Sequence, residues 1–208
     1  VVQLYRYGEQ EGLLYMVMQY IEGVDLGIIL QGYRRDGEFM TPVEVVRIFR
    51  EICQALDYIH SKGVIHRDVK PSNVMLDKDG HAILTDFGLS LLTEVGTRGE
   101  AFGSPHYIAP EQAISSANVL PQTDFYAVGV MLYQIFTGQL PFDAADPMDI
   151  ALKHVSDKPP LPRSIRSEIS PEVEAVILKL LAKTPQERYP DGKALMAALE
   201  GALFENAL

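Results

Sequence analysis

The chain has 208 residues, of which 47% are apolar and 22% charged, and its formal net charge is -10 at pH 7. This composition is typical of a folded globular protein and excludes an intrinsically disordered one. The acidic balance argues against nucleic acid as a partner, because phosphate binding relies on clustered Lys and Arg. We interpret the negative charge as a contribution to solubility rather than as a site for basic peptides.

Cysteine usage and hydropathy further narrow the class of protein to which the chain could belong. The single cysteine, Cys53, excludes an intramolecular disulfide and is compatible with the reducing cytoplasm. No apolar run approaches the roughly 20 residues of a membrane-spanning helix, and no targeting segment precedes the first strand-like residues. Because the chain opens on Val1 within such a run, we expect it to belong to a longer protein, whose other parts could include a membrane anchor.

The first predicted element is a β-hairpin. Residues 1–7 and 13–20 are rich in Val, Leu, Tyr and Met, and the turn residues Gly8–Gly12 lie between them. A two-stranded hairpin alone is marginally stable. We therefore expect further structure to pack against it.

Two helices are predicted next. A short one follows Asp25 and ends before Gly37. The second begins at Thr41, where an N-cap hydroxyl is followed by a proline in the first turn and by a capping-box glutamate, Glu44. Apolar residues then recur at helical spacing as far as Ile59, which predicts an amphipathic helix packed on a core.

A polar loop with an unusual set of side chains follows this helix. Residues 64–73 read VIHRDVKPSN and place Asp68, Lys70 and Asn73 between two apolar runs. A second hairpin is predicted over residues 74–84, because Asp79-Gly80 is a strong turn signal. Asp86 comes directly after that hairpin, so we expect it to lie within reach of Asp68 and Asn73.

The remainder is predicted to be mainly helical. Residues 89–107 have no sustained periodicity, and so long a loop is usually functional. Residues 124–137 are apolar on every face and predict a buried helix. Further helices are predicted to begin at Pro147, at Ser170 and after Asp191, with residues 158–163 as an extended connector.

The loop residues favour phosphoryl transfer. Asp68, Asp86 and Asn73 supply the carboxylate and amide oxygens that Mg²⁺ prefers. Lys70 would be an odd neighbour in a two-carboxylate hydrolase, but it suits a phosphoryl group, whose transfer requires positioning and charge stabilisation.

Three motifs then resemble one family. His66–Asn73, Asp86–Gly88 and Ala109–Glu111 are similar to the catalytic-loop, metal-binding and activation-segment signatures of eukaryotic-type (Hanks-type) serine/threonine protein kinases, in particular bacterial ones. The resemblance implies an α+β, protein-kinase-like fold with a mainly helical C-terminal lobe, small β-hairpins and a stub of the N-terminal β-lobe. Residues 1–20 would be the remnant of the small lobe and hinge strand, and residues 21–208 the large catalytic lobe.

The resemblance assigns roles in catalysis. It implies that Asp68 orients the substrate hydroxyl and accepts its proton, and that Lys70 steadies the γ-phosphate of ATP. Asn73 and Asp86 would hold Mg²⁺. A lysine at position 70 also implies Ser and Thr, rather than Tyr, as the acceptors in the protein substrate.

The resemblance also assigns residues that bind the nucleotide and regulate the site. Met18 would be the gatekeeper, and the backbones of Gln19 and Ile21 would pair with adenine, with Asp25 near the ribose. Regulation would depend on hydroxyl residues of the activation segment and on an arginine that binds one of them when it is phosphorylated. Arg67 would receive a phosphorylated Thr93 or Thr97, and Ser104 would bridge Asp68 and Lys70.

Two further assignments are structural. Asp124 is expected to brace the catalytic loop from the buried helix, and Glu111 to pair with Arg188. His66, within the loop motif, is expected to be a packing histidine and not a chemical participant.

The family's glycine-rich loop, strand lysine and helix glutamate would all lie upstream of Val1. We therefore expect the 208-residue chain alone to bind ATP weakly and to be inactive. The alternative hypothesis is a non-catalytic, pseudokinase-like binding module, and a dimer of kinase domains is a further hypothesis for its partners. Small aminoglycoside-type phosphotransferases share the aspartate and asparagine, but the motif at Ala109–Glu111 argues against them.

Overall fold

The structure is a computed structural model, and it describes residues 1–86 and 104–204. The strands in these ranges are β1 (Leu4–Gln10), β2 (Leu13–Met18), β3 (Gly23–Asp25), β4 (Val74–Asp77) and β5 (Ala82–Leu84). These five strands form two antiparallel sheets, one pairing β1 with β2 and the other in the order β3-β4-β5.

The first hairpin is present, but its turn is tighter than the sequence predicts. The strands pair as far as Gln10 and Leu13, so Gly8 lies in the ladder opposite Tyr15. Glu11 and Gly12 form the turn with φ angles of 54° and 80°. Two consecutive positive φ angles match the twist of the flanking strands, and glycine adopts such an angle without steric cost.

The short strand β3 was not predicted. Its central residue, Val24, pairs with Leu76 of β4, and β4 pairs with β5 as the predicted second hairpin. Three residues are too few to show an alternating pattern. Through β3, the segment that follows the first hairpin is tied to the strand that follows the polar loop.

The described residues include eight α-helices, and most of the predicted helices are confirmed. They are α1 (Leu26–Asp36), α2 (Pro42–Ser61), α3 (Pro110–Ile114), α4 (Pro121–Thr137), α5 (Pro147–Ser156), α6 (Pro162–Ile165), α7 (Pro171–Leu180) and α8 (Gly192–Phe204). None of the described helices combines the length and the apolar character needed to cross a bilayer.

Local signals explain where α2 begins. The Thr41 hydroxyl accepts the Glu44 N–H at 3.3 Å, and the Glu44 carboxylate accepts the Thr41 N–H at 2.8 Å, which is the predicted capping box. The apolar face of α2 is buried, including Ile48, Phe49 and Ile52.

Helix α4 forms the centre of the helical body. Its side chains are buried on all faces, as predicted, with Phe125 and Tyr133 fully inaccessible. It starts at Pro121, three residues earlier than predicted, because Thr123 Oγ1 accepts the Leu120 N–H at 3.0 Å and caps the first turn. Helix α7 packs so closely on α4 that a Cβ at Gly129 would lie 2.6 Å from a side-chain atom of α7.

One connector differs from its prediction. Residues 158–163 are predicted to be extended, but α6 already begins at Pro162. A proline at the first helical position needs no hydrogen-bond partner for its nitrogen, so it favours a helix start here as much as a break.

Candidate active site

The polar loop lies between α2 and β4, and Asp68 is at its centre. The carboxylate oxygen Oδ2 accepts hydrogen bonds from Lys70 Nζ at 2.6 Å and from Asn73 Nδ2 at 3.0 Å. Asn73 Nδ2 also donates to the Asp68 carbonyl at 2.8 Å. The other oxygen, Oδ1, accepts the Ser104 N–H at 3.1 Å. Three residues singled out in the sequence, Lys70, Asn73 and Ser104, therefore contact Asp68.

Lys70 is the residue of the loop that connects Asp68 to Ser104. Its ammonium group donates to Asp68 Oδ2 and, at 2.7 Å, to Ser104 Oγ. Its side chain is 22% exposed, against 9% for Asp68. Because an ammonium group has three donors, one N–H of Lys70 is left for a ligand. Ser104 thus contacts both side chains, Lys70 through its hydroxyl and Asp68 through its backbone N–H.

Asp86 is brought to this loop by the end of β5. The N–H and hydroxyl of Thr85 donate to the Asn73 carbonyl at 2.9 and 3.1 Å. The Thr85 carbonyl in turn contacts His66 Nε2 at 2.8 Å. Asp86 follows directly, with an exposed side chain and a φ of 62°. Phe87 and Gly88, the rest of that motif, lie outside the described residues.

The donor set fits a magnesium ion that arrives with a nucleotide. Both hydrogen bonds of the Asn73 amide nitrogen go to Asp68, so the amide oxygen is its remaining acceptor. Asp86 follows Thr85, which bonds to the Asn73 backbone, and the Asp86 side chain is exposed. In the ranges 1–86 and 104–204 no group of three or more His, Cys, Asp or Glu could hold a metal. Mg²⁺ is commonly held by one or two protein oxygens, waters and substrate phosphates, which agrees with this sparse set.

Asp124 braces the loop from α4, as predicted. Its oxygens accept the backbone N–H groups of His66 at 2.9 Å and Arg67 at 2.8 Å, and His60 Nε2 at 2.7 Å. The Asp124 side chain is 1% exposed, and a buried carboxylate needs such partners. Arg67 has a φ of 68°, which is uncommon for a non-glycine residue, so the carboxylate fixes a strained turn next to Asp68.

The sequence interpretation missed two residues of this brace, His60 and Gln112. His60 Nε2 contacts the Asp124 carboxylate. Its imidazole ring also packs edge-on against the Phe125 ring, with the ring centroids 5.6 Å apart. The sequence did contain one signal for a buried role of His60, because His60 lies four residues after Leu56, on the apolar face of α2. Gln112 Nε2 donates to the Arg67 carbonyl at 2.7 Å, and no local pattern marks that residue. His66, the predicted packing histidine, is fully buried.

Arg67 also has a buried donor. Its Nε has no hydrogen-bond partner in the described part of the chain. An unpaired buried donor is costly, and a phosphate group would satisfy it. Thr93 and Thr97, the predicted phosphorylated residues, lie outside the described ranges, so their contact with Arg67 stays a prediction.

The predicted adenine and ribose residues lie between β2 and α1. Met18 ends β2, and the Gln19 N–H donates to the Gln3 carbonyl at 2.8 Å. Ile21 is half-buried. Asp25 caps α1, because its Oδ1 accepts the Ile28 N–H at 3.0 Å. That bond leaves Oδ2 of Asp25 for a ligand, and nucleotide contacts of all four residues stay predictions.

A buried ion pair ties α3 to the chain beyond α7. Arg188 donates to the two carboxylate oxygens of Glu111 at 2.7 and 2.8 Å, which confirms the predicted pair. Thr123 also donates to Glu111, at 2.8 Å. Burial by itself raises the pKa of Glu111, but the hydrogen bonds and charge of Arg188 lower this pKa below its usual value.

Comparisons with known proteins agree with this geometry. Residues 1–199 match the protein kinase domain family. The chain is 37% identical over 186 residues to the serine/threonine-protein kinase PksC of Streptomyces coelicolor, an alignment that covers 87% of this chain and 33% of that protein. It is 36% identical over 208 residues to the serine/threonine-protein kinase PknB of Mycolicibacterium smegmatis, covering 96% and 32%. It is 33% identical over 211 residues to the serine/threonine-protein kinase PrkC of Bacillus subtilis, covering 100% and 32%.

The fold and the site together define a class of α+β proteins in which a loop carrying the catalytic-loop motif of protein kinases follows a helix of the large lobe. The chain belongs to the protein kinase domain family. It spans about a third of the length of these bacterial relatives.

Proposed function

We propose that the chain is the catalytic part of a serine/threonine protein kinase, which transfers the γ-phosphate of ATP to Ser or Thr hydroxyls of proteins. The observation that carries this proposal is the Asp68 carboxylate, held by Lys70, Asn73 and Ser104 on a loop that Asp124 braces. These residues occupy the positions that the family motif assigns to the reaction.

The chemical step follows from the contacts of Asp68. Its Oδ2 accepts two hydrogen bonds and its Oδ1 accepts one, so Oδ1 has the spare lone pair for the acceptor hydroxyl. The hydroxyl oxygen bonds to the γ-phosphorus, the bond from that phosphorus to the bridging oxygen of ADP breaks, and Asp68 accepts the proton. Lys70 stabilises the negative charge on the transferred group.

Nucleotide and metal would be held by the predicted residues. Magnesium, when bound, neutralises phosphate charge, and Asn73 and Asp86 would be its protein ligands. The backbone of Gln19 would offer its carbonyl to adenine, because its N–H already bonds to Gln3. In this proposal residues 1–20 belong to the small lobe and hinge, and residues 21–208 to the large lobe.

The cellular compartment in which the reaction takes place is also a proposal. Cys53 is a buried free thiol, and burial raises its pKa. An unreactive thiol of this kind is compatible with a protein that works in the ATP-containing cytoplasm. A dimer of kinase domains stays a prediction.

The test is phosphotransfer from ATP to Ser- or Thr-containing proteins, measured with the 208-residue chain and with the longest reading frame that encodes it. We expect Asp68→Asn to lower the rate about 10²- to 10⁴-fold, because the proton acceptor is lost. The matched control is Asp79→Asn, which changes an exposed carboxylate on the β4–β5 hairpin. Normal phosphotransfer by Asp68→Asn would refute the proposed chemistry.

A second measurement separates an enzyme from a binding module. The thermal shift caused by Mg-ATP reports binding without turnover. Binding by the longest reading frame with no phosphotransfer under any condition would favour the non-catalytic alternative. For the 208-residue chain alone we expect a small shift.

A further inference from the structure

A groove of about 200 Å³ lies beside the candidate active site. Residues from α1, from the loop and from α4 line it, and Lys70 belongs to both the groove and the site. A peptide whose hydroxyl reaches Asp68 would therefore have neighbouring side chains at this groove.

The charge of the groove is opposite to that of the protein. The protein has 28 acidic and 18 basic residues, yet neither Asp nor Glu is among the described residues that line the groove. Its two cations are Arg34 and Lys70. Lys70 is compensated by its ion pair with Asp68 at 2.6 Å.

Arg34 is the uncompensated cation. It lies in the last turn of α1, and its guanidinium makes no hydrogen bond or ion pair with any residue of the described ranges. The adjacent Arg35 differs, because it is paired with Asp36 at 2.8 Å and does not line the groove. Arg34 is exposed, so its five donors are available to a ligand.

The rest of the wall is neutral and polar. Gln31, Ser72 and Gln134 contribute amide and hydroxyl groups. The Tyr107 hydroxyl donates to Gln134 Oε1 at 2.7 Å, which orients that amide so that its NH₂ group is left as a donor. A free guanidinium beside neutral donors is complementary to a carboxylate.

We propose that this groove recognises an Asp or Glu side chain of the protein substrate, close in sequence to the acceptor Ser or Thr, with Arg34 as its cationic contact. The inference rests on the proposed function, which supplies the peptide. Because the pair forms at an exposed site, its effect on affinity is modest and its main effect is on the choice of substrate.

The test is peptide binding to the ¹⁵N-labelled chain, followed by NMR. The probes are peptides with one acceptor Ser and a single Glu, Gln or Lys moved through the flanking positions. At one flanking position we expect the Glu peptide to bind about 3- to 10-fold more tightly than the Gln peptide, with shifts at the Gln31 and Arg34 amides. Arg34→Gln should abolish that difference, and Arg34→Glu should make Lys the preferred residue.

The matched control is Arg35→Gln, which changes the neighbouring guanidinium outside the groove and should leave the Glu preference intact. Salt provides a check that needs no variant. In 1 M NaCl the ratio of the affinities of the Glu and Gln peptides for the unmodified chain should be close to one. Equal binding of the Glu and Gln peptides, no binding of either, or a preference that persists in Arg34→Gln would overturn the inference. A Glu preference in the 208-residue chain, together with no phosphotransfer by the longest reading frame that encodes it, would refute only the proposed function. Phosphotransfer without a Glu preference would refute only the specificity.

Discussion

The carboxylate of Asp124 accepts the backbone N–H of Arg67 at 2.8 Å, although the two residues are 57 positions apart in the chain. Arg67 immediately precedes Asp68, and its φ of 68° turns the loop at that point. A buried helix thus controls the backbone conformation next to the proposed proton acceptor. The position of Asp68 depends on the core and not only on its own loop.

Asp124→Asn tests this relationship. An amide of the same shape cannot accept three hydrogen bonds as a carboxylate does, and its NH₂ group would face a backbone N–H. We expect the free energy of unfolding to fall by about 2 kcal/mol. Hydrogen exchange at the His66 and Arg67 amides should become faster, and phosphotransfer should fall with it. Urea unfolding, amide exchange and the phosphotransfer assay measure the three effects.

Asp57→Asn is the matched control. Asp57 also accepts two backbone N–H groups, those of Gly192 at 2.7 Å and Lys193 at 3.2 Å, but at the start of α8. It should lower stability without changing exchange at His66 and Arg67. If Asp124→Asn left the exchange of those two amides unchanged, the bracing role would be wrong.

Arg188→Ala tests the buried ion pair. The Arg188 side chain is fully buried and Glu111 is 10% exposed. Removal of the guanidinium leaves a buried carboxylate without its partner. We expect a loss of about 3–5 kcal/mol in the free energy of unfolding, seen as a lower urea midpoint.

Arg50→Ala is the comparison for this loss. Arg50 pairs with Glu200 at 3.0 Å, but the two side chains are 51% and 37% exposed. An exposed pair is worth less than about 1 kcal/mol. Equal losses for Arg188→Ala and Arg50→Ala would contradict the importance of burial. Glu111→Gln with Arg188→Ala should recover part of the loss, because no buried charge then remains.

The third prediction concerns acid stability and His154. Burial first, and the charge of Lys183 second, lower the pKa of His154 from 6.5 to about 4. Its Nδ1 contacts the Tyr126 hydroxyl at 2.8 Å. A hydrogen bond with the His106 backbone opposes the lowering of this pKa, and the charge of the His106 side chain adds to it. The folded state therefore binds fewer protons than the unfolded state between pH 6.5 and 4.

Stability should consequently fall as the pH is lowered through that window. We expect a loss of about 3 kcal/mol over the whole range, measured by urea unfolding at closely spaced pH values. His154→Phe should flatten the slope above pH 5, where most carboxylates are still ionised. His81→Gln removes an exposed imidazole whose pKa is raised by its hydrogen bond with Glu51, and it should not flatten the slope. An identical slope in His154→Phe would show that another group is responsible.

The sequence by itself determined the local elements and the chemistry of the loop. The capping box of Thr41 and Glu44 and the all-apolar run of α4 depend on residues close together in the chain. Periodicity and turn chemistry report such short-range order directly. Asp68, Lys70 and Asn73 lie within six residues, so their types and spacing already indicated phosphoryl transfer.

Only the tertiary structure decided which distant groups act on that loop. The contact of His60 with Asp124, the contact of Gln112 with Arg67 and the pairing of β3 with β4 join parts of the chain that no local pattern relates. The unpaired charge of Arg34 is a property of the same kind, because Arg35 has the same side chain and is paired. Whether a charge is compensated depends on the three-dimensional surroundings, since electrostatic and packing interactions act through space and not along the chain.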